Sequence, residues 1–268
     1  MKRVLLFSLL LCVPHIVGAS PAIAPVRVVV SPCAEPGEKM PQASELLDHL
    51  FDVYEGARTF RGTFDINAYG RDTAGGRSTL AFGFKLQTLV RFNENGDLTG
   101  EVSHLEYRNP DPKQAQTLNL VDDGQNAHLV FVEQKAWQNS VHDSAPMLRE
   151  IIQPVLQEIV NGLRAQDDLK LKVSRGKDAG RAVFNVKAQV DDGSLRVVVD
   201  AQTRALRLIQ MDSDNNSLTM RATDQAFDGP VTDTEFVWHA GPELHEVQPG
   251  EIELPQALRA SKGAKKPE

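Results

Sequence analysis

Short segments in which apolar and polar residues alternate are the feature that most limits the folds open to this chain. In residues 60–68 every second residue is apolar or small, which is typical of a half-buried antiparallel strand. The same period recurs in later segments, which lie at residues 80–86, 102–107, 118–121, 128–133, 169–173, 182–190, 195–199, 206–208 and 218–222. Short turns rich in Asp, Asn and Gly separate many of them and favour antiparallel pairing. The sequence therefore predicts a sheet of many strands, which curls rather than stays flat.

Two segments change to a helical period. Residues 44–55 repeat apolar side chains at helical spacing, with Ser44 as a candidate N-cap and Gly56 at the end. Residues 147–163 carry a longer apolar stripe, which Pro154 should kink or divide. Because both stripes need a surface to cover, the predicted fold class is α+β. We expect a strongly curved antiparallel β-sheet, an incomplete and unclosed barrel, with helices covering its concave face.

The first residues predict export. Lys2 and Arg3 precede an apolar run, and small or branched residues at Val17 and Ala19 fit a signal-peptidase site. The run is too short to span a bilayer, which takes roughly 20 apolar residues. We therefore expect a signal peptide over residues 1–19, cleavage near Ala19 and a periplasmic product. An anchor that stays uncleaved is the alternative.

The rest of the chain divides by composition. We expect a Pro-rich leader at residues 20–43, one folded domain at residues 44–247 and a disordered tail at residues 248–268. Cys33 is the one cysteine left after cleavage, so it cannot form an intrachain disulfide. Lipidation is an alternative, but the residues before Cys33 do not fit it well.

Composition and motifs point away from several function classes. The chain has 29 basic and 36 acidic residues with both signs interspersed, so nucleic acid is a poor candidate partner. No nucleophile elbow, phosphate-binding glycine loop or zinc-protease motif is present in the sequence. His239 and His245 could share a metal, but solvated loop histidines are the favoured interpretation. We therefore expect no enzyme activity, no catalytic residues, no cofactor and no metal.

Apolar side chains on the predicted strands and on the long helix remain. They form either an ordinary packed core or the lining of a cavity between sheet and helix, since ligand pockets are largely apolar. As candidate lining residues we take Phe64, Phe82, Phe84, Ile152, Leu156, Phe184 and Val197. In the cavity hypothesis the long helix acts as a lid that shifts to admit an acyl chain.

Four segments in this order resemble the LolA-like family of periplasmic lipoprotein carriers and lipoprotein-sorting proteins. They are YEGARTFRGTF (54–64), LVDDGQ (120–125), VVDAQT (198–203) and DGPVTDTEFVW (228–238). The resemblance covers about residues 44–247, and it implies an unclosed antiparallel barrel with a helical lid. In the family the last segment leads into a strand, so a strand is implied at residues 236–238.

The resemblance also implies an activity, partners and one polar site residue. The activity is the sheltering of acyl chains in transit between membranes. The partners are an acyl chain or lipoprotein ligand, an inner-membrane release complex and an outer-membrane receptor, with the protein acting as a monomer. Arg91 is the nearest match to a functional arginine of the carrier, although the proline that follows it in the family is absent.

Three functions stay open at this point. The leading hypothesis is a periplasmic carrier that shelters acyl chains or lipoproteins in outer-membrane lipoprotein trafficking. The alternative is a periplasmic lipid or lipoprotein sensor, or a scaffold of the same fold, that signals to a protein partner. A hydrolase is the third, and no motif supplies its nucleophile and base.

Overall fold

Twelve β-strands form a single sheet over the residues that the computed structural model describes, which are 40–50, 52–71, 78–140, 152, 157, 171–190 and 193–253. The strands are β1 (Thr59–Arg71), β2 (Ser78–Phe92), β3 (Leu98–Arg108), β4 (Gln116–Asp122), β5 (Ala127–Phe131), β6 (Ala136–Ser140), β7 (Lys172–Asp178), β8 (Arg181–Val190), β9 (Gly193–Asp200), β10 (Leu206–Ser213), β11 (Asn216–Phe227) and β12 (His245–Glu246). The sequence predicts β1–β5 and β7–β11. It does not predict β12, which has only two residues, or β6, in which the polar Gln138 is buried and Trp137 is not.

The strand order explains why the sheet stays open. Across the sheet it is β12-β6-β5-β4-β3-β2-β1-β11-β10-β9-β8-β7. Two antiparallel meanders, β1–β6 and β7–β11, meet where β1 pairs with β11, and β12 adds to β6 in parallel. Among the described strands, β12 and β7 are the edges and do not pair with each other. The predicted curved, incomplete antiparallel barrel is therefore confirmed.

One face of the sheet carries the main hydrophobic core, and we call it the inner face. Residues directly opposite each other on neighbouring strands share a face. One row of successive partners runs through Phe84, Ile66, Met220, Ile209, Val197 and Val186. All six belong to one buried cluster. Alternate residues point to the opposite, outer face, where a small separate cluster contains Val183, Val198 and Leu208.

The N-terminal helical segment consists of two short helices, α1 (Ala43–Asp48) and α2 (Asp52–Glu55), where the sequence predicts one. The predicted cap is wrong: Gln42 is the N-cap and Ser44 lies inside α1. The reason is a capping interaction, since the Glu45 carboxylate accepts a hydrogen bond from the Gln42 N–H at 3.4 Å.

Side chains from helical residues and from the turn after α1 reach the main core cluster. Leu46, Leu47 and Leu50 are buried in it. Of the predicted long helix the structure describes Ile152 and Gln157; both are helical, the former buried in the same cluster and the latter exposed. The predicted kink at Pro154 lies outside the described residues, and the covering of the concave face by helices stays a prediction. In the described part of the chain, no helix is long and apolar enough to cross a membrane.

Residues 228–247 follow β11, and we call them the C-terminal strap. The strap begins beside β1 and ends at β12, which pairs with β6. The strand implied at residues 236–238 is wrong, because Asp233–Phe236 form a 3-10 turn. Thr232 and Glu235 start this turn with a capping box, in which the Thr232 N–H donates to the Glu235 carboxylate at 2.8 Å.

Candidate functional site

Most of the predicted lining residues come together on the inner face. Five of them are at most 8 % exposed and belong to the main core cluster: Phe64, Phe84, Ile152, Phe184 and Val197. Phe82 is partly buried and packs against the same cluster, with its ring centroid 5.6 Å from that of Phe84. Leu156 lies outside the described residues. The described lining residues are thus parts of one apolar surface.

This apolar surface is wide as well as continuous. A second row of cross-strand partners runs through Phe131, Leu118, Leu105, Leu86, Phe64 and Ala222. Each of these side chains is at most 2 % exposed. Apolar residues therefore extend across the inner face from β5 to β11 in this row and from β2 to β8 in the row described above. Ligand pockets are lined mainly by apolar side chains of this kind, and here the whole row belongs to the main core cluster.

Aromatic rings from α2 and the central strands close one part of the inner face. The Tyr54 ring lies 5.4 Å from Phe60 and 5.7 Å from Phe227, both edge-on, and 6.2 Å from Phe64. Burial raises the pKa of the Tyr54 hydroxyl well above its ordinary value, and the nearby Leu206 N–H and Arg207 only partly oppose this. Tyr54 is therefore neutral and acts as a hydrogen-bonding group inside an apolar region.

A buried polar cluster on β2–β4, which was not predicted from the sequence, lies on the inner face beside the second apolar row. The hydroxyls of Thr88 and Ser103 are 2.7 Å apart, and Ser103 Oγ donates to Glu101 Oε1 at 2.5 Å. Glu101 lies directly opposite Asp122, and both residues are at most 2 % exposed. One signal was available: Glu101 and Ser103 occupy the same alternating positions of β3 as the core residue Leu105.

Arg91 lies on the outer face, away from the other predicted site residues. Along β2 it follows Val90, which belongs to the main core cluster. Its Nη1 donates to Asp233 Oδ1 at 2.5 Å and its Nε to Thr99 Oγ1 at 3.2 Å. Its guanidinium also stands 4.7 Å over the Phe236 ring. The structure therefore places Arg91 against the C-terminal strap, not against the apolar inner face.

Other aromatic residues attach the strap further along the outer face. Trp238 stacks on His128 at 4.5 Å and lies 4.9 Å from Trp137 of β6.

His239 and His245, the two histidines considered for a metal site, also lie in the strap. Within the residues that can be described, no group of three or more His, Cys, Asp or Glu side chains is placed to hold a metal ion.

Comparisons with known proteins give distant likenesses in fold. No family model matches the sequence, so membership of the LolA-like family stays a prediction. No curated protein matches either. Among solved structures, LprF from Mycobacterium bovis is 13 % identical with a TM-score of 0.42, and the match covers 76 % of this chain and 100 % of that one.

Two further structures align over similar lengths. The MucA/MucB complex of Pseudomonas aeruginosa gives 14 % identity and a TM-score of 0.40, covering 75 % of this chain and 62 % of that one. The lipoprotein LppX of Mycobacterium tuberculosis gives 12 % identity and a TM-score of 0.39, covering 71 % and 99 %.

Proposed function

We propose that this protein is a periplasmic binding and carrier protein that shelters an acyl chain, or the acyl groups of a lipoprotein, on its inner face. The observation that carries the proposal is the apolar inner face, into which a helical residue outside the sheet, Ile152, is buried to 2 % exposure. Moving the Ile152 side chain out of the main core cluster would uncover apolar surface for a ligand. The proposal contains no catalytic step, and we expect no hydrolysis of esters, peptides or phosphates.

The resemblance of the sequence to LolA-like carriers supports a role in outer-membrane lipoprotein trafficking. A release complex in the inner membrane would then load the protein, and a receptor at the outer membrane would unload it. The basic and apolar residues before Ala19 support delivery to the periplasm.

The energetics of such a site require an exchange of contacts. Burying one Ile or Leu side chain contributes roughly 1.5–3 kcal/mol, so the burial of Ile152 favours the state in which its side chain stays in the core cluster without ligand. A ligand shifts this equilibrium only by its differential affinity for the two states. An acyl chain does so by replacing the contacts that the Ile152 side chain gives up.

Ile152 and Gln157, which are both helical, allow a matched test. Wild-type protein is first shown to bind a fluorescent fatty-acid probe, and native mass spectrometry of the purified mature chain asks whether a lipid co-purifies. Ile152→Asp places a charge in the apolar cluster, which is strongly unfavourable, so we expect release of the probe at least roughly tenfold faster. The exposed Gln157→Asp should release it at the wild-type rate.

Circular dichroism controls for folding, and Ile152→Ala replaces the Asp variant if that variant does not fold. Wild-type protein that binds no fatty-acid probe and carries no lipid would refute the proposed function. If the probe binds and both Ile152 variants release it at the wild-type rate while folded, Ile152 is only part of the core packing and plays no part in binding.

A further inference from the structure

An arginine stands over one of the inner-face aromatic residues. Arg204 lies in the turn after β9 and has a φ of 62°, in the left-handed region. Its guanidinium carbon is 4.9 Å from the centre of the Phe184 ring. Phe184 is 1 % exposed and belongs to the main core cluster. The positive charge of Arg204 therefore lies at the border of the apolar inner face rather than on the outer surface.

A second arginine flanks the same phenylalanine. Arg175 on β7 is the direct cross-strand partner of Phe184 on β8, so the two side chains share the inner face. Arg175 is exposed, and its strand is an edge of the sheet. Two cations thus stand beside the buried Phe184, and one of them, Arg175, is exposed to water.

The hydrogen bonding of Arg204 differs from that of two arginines on the outer face, Arg196 and Arg207. Arg196 donates two hydrogen bonds to Asn185 Oδ1, and Arg207 donates two to Asp178 Oδ2. Arg204 Nη1 is buried, yet it has no hydrogen-bond partner in the part of the chain that the structure describes. Arg108 Nε on β3 is also buried without a hydrogen-bond partner among the described residues. A buried donor of a charged group is costly to leave unpaired. A guanidinium fits carboxylate and phosphate groups with two parallel hydrogen bonds.

We propose that Arg204, assisted by Arg175, binds the anionic group of an acyl ligand whose chain lies on the inner face. The shared chemistry is a carboxylate or a phosphate at the end of an apolar chain. This inference rests on the proposed function and adds the class of ligand: an anionic lipid is preferred over a neutral one of equal chain length. The Arg204 Nη1 donor would gain the acceptor that it lacks.

Competition with an uncharged probe separates the two proposals. The mature protein is loaded with N-phenyl-1-naphthylamine and titrated with four competitors. These are palmitate, hexadecyl phosphate, the neutral hexadecanol and inorganic phosphate alone. Arg204→Gln is compared with wild type and with Arg181→Gln. Arg181 lies on the same strand as Phe184, is 63 % exposed and is on the outer face.

Loss of a hydrogen bond to a charged group predicts roughly tenfold weaker binding of at least one of the two anionic lipids to Arg204→Gln. Hexadecanol binding should change less than roughly twofold, Arg181→Gln should behave as wild type, and inorganic phosphate should not displace the probe. Arg204→Gln binding both anionic lipids like wild type would overturn the inference and leave the proposed function standing. If no chain displaces the probe from wild type, both fall together. The affected lipid distinguishes a carboxylate from a phosphate headgroup.

Discussion

Tyr54 and Gln225 lie 171 residues apart in sequence and are joined by a hydrogen bond in which Tyr54 Oη donates to Gln225 Oε1 at 2.6 Å. The Leu206 N–H donates to the same hydroxyl at 3.2 Å, and Gln225 Nε2 donates to the Leu206 carbonyl at 2.6 Å. The three residues form a closed ring of hydrogen bonds. The ring ties α2, before the first strand, to β10 and β11 in the second meander.

Tyr54→Phe should destabilise the protein by roughly 1–3 kcal/mol, because it leaves two part-buried groups without the partner that Tyr54 supplies. The aromatic ring of residue 54 can still pack against Phe60 and Phe227 in this variant. A loss of stability of this size therefore measures the contribution of the Tyr54 hydroxyl. Urea unfolding followed by circular dichroism measures the change. Tyr69→Phe on β1 is the matched control and should stay within about 0.5 kcal/mol of wild type.

The pH dependence of the unfolding free energies of wild type and Tyr54→Phe tests whether the loss of stability comes from the buried hydroxyl. Burial raises the pKa of Tyr54 in the folded state above its unfolded value. Above about pH 10 the unfolded chain loses the tyrosine proton while the folded chain keeps it, so the stability contributed by this group falls as pH rises. The stability gap between wild type and Tyr54→Phe should therefore narrow above about pH 10. A gap that widens there would contradict the assignment.

The strands could be predicted where alternation and turn residues agree. In β1, Phe60, Phe64 and Ile66 are buried at alternate positions, as the pattern requires. Strand β6 was not predicted, because its polar Gln138 points inward and its aromatic Trp137 points outward, the reverse of the expected pattern. Its Gln138 lies opposite Leu129 on the inner face, while Trp137 points outward and is covered by Trp238. A contact between residues so distant in sequence cannot be read from the five residues of β6.

Part of the candidate site could also be predicted from the alternation of apolar and polar residues. Alternation identifies Phe64, Phe84 and Phe184 as sharing a face, and the register then brings them into one cluster. Alternation also places Arg91 and Val90 on opposite faces of the sheet. The family resemblance indicated only that an arginine matters and not the face on which it lies. Arg204 had no sequence signal, because its position depends on a left-handed turn conformation that few sequences specify.

Gly100 and Phe236 make a tight contact that fixes the C-terminal strap. A Cβ added to Gly100 would lie 2.7–2.9 Å from three Phe236 ring atoms, and Phe236 is 1 % exposed. Gly100→Ala should therefore cost about 1–3 kcal/mol in urea unfolding, as overpacking does. Gly229→Ala, where an added Cβ meets nothing within 4 Å, is the control.

A double variant identifies the cause of that loss. Phe236→Leu shortens the side chain that the new methyl group meets, so Gly100→Ala should cost less in this background than in wild type. Equal costs in the two backgrounds would show that the Gly100 effect comes from the backbone of β3 and not from the strap.

Arg91 offers the sharpest contrast between the family resemblance and the observed geometry. Its partner Asp233 has a side chain that is 89 % exposed, and exposed ion pairs contribute little. The stacking on Phe236 and the hydrogen bonds to Thr99 remain as the main contacts. Arg91→Gln should therefore lower the stability by only about 1 kcal/mol and make the strap easier to cleave in limited proteolysis.

Retention of the fatty-acid probe decides between the two roles of Arg91. Because Arg91 lies on the outer face, Arg91→Gln should release the probe within roughly twofold of the wild-type rate, unlike Ile152→Asp. Arg61→Gln is the control, since Arg61 also reaches the strap through Glu235 at 2.7 Å and has a side chain that is 57 % exposed. The opposite outcome has three parts: Arg91→Gln releases the probe as fast as Ile152→Asp, its urea midpoint is unchanged, and Arg61→Gln releases the probe at the wild-type rate. Together they would show that Arg91 acts in binding, as the family resemblance implies. The strap contact would then be part of the binding mechanism rather than only of the fold.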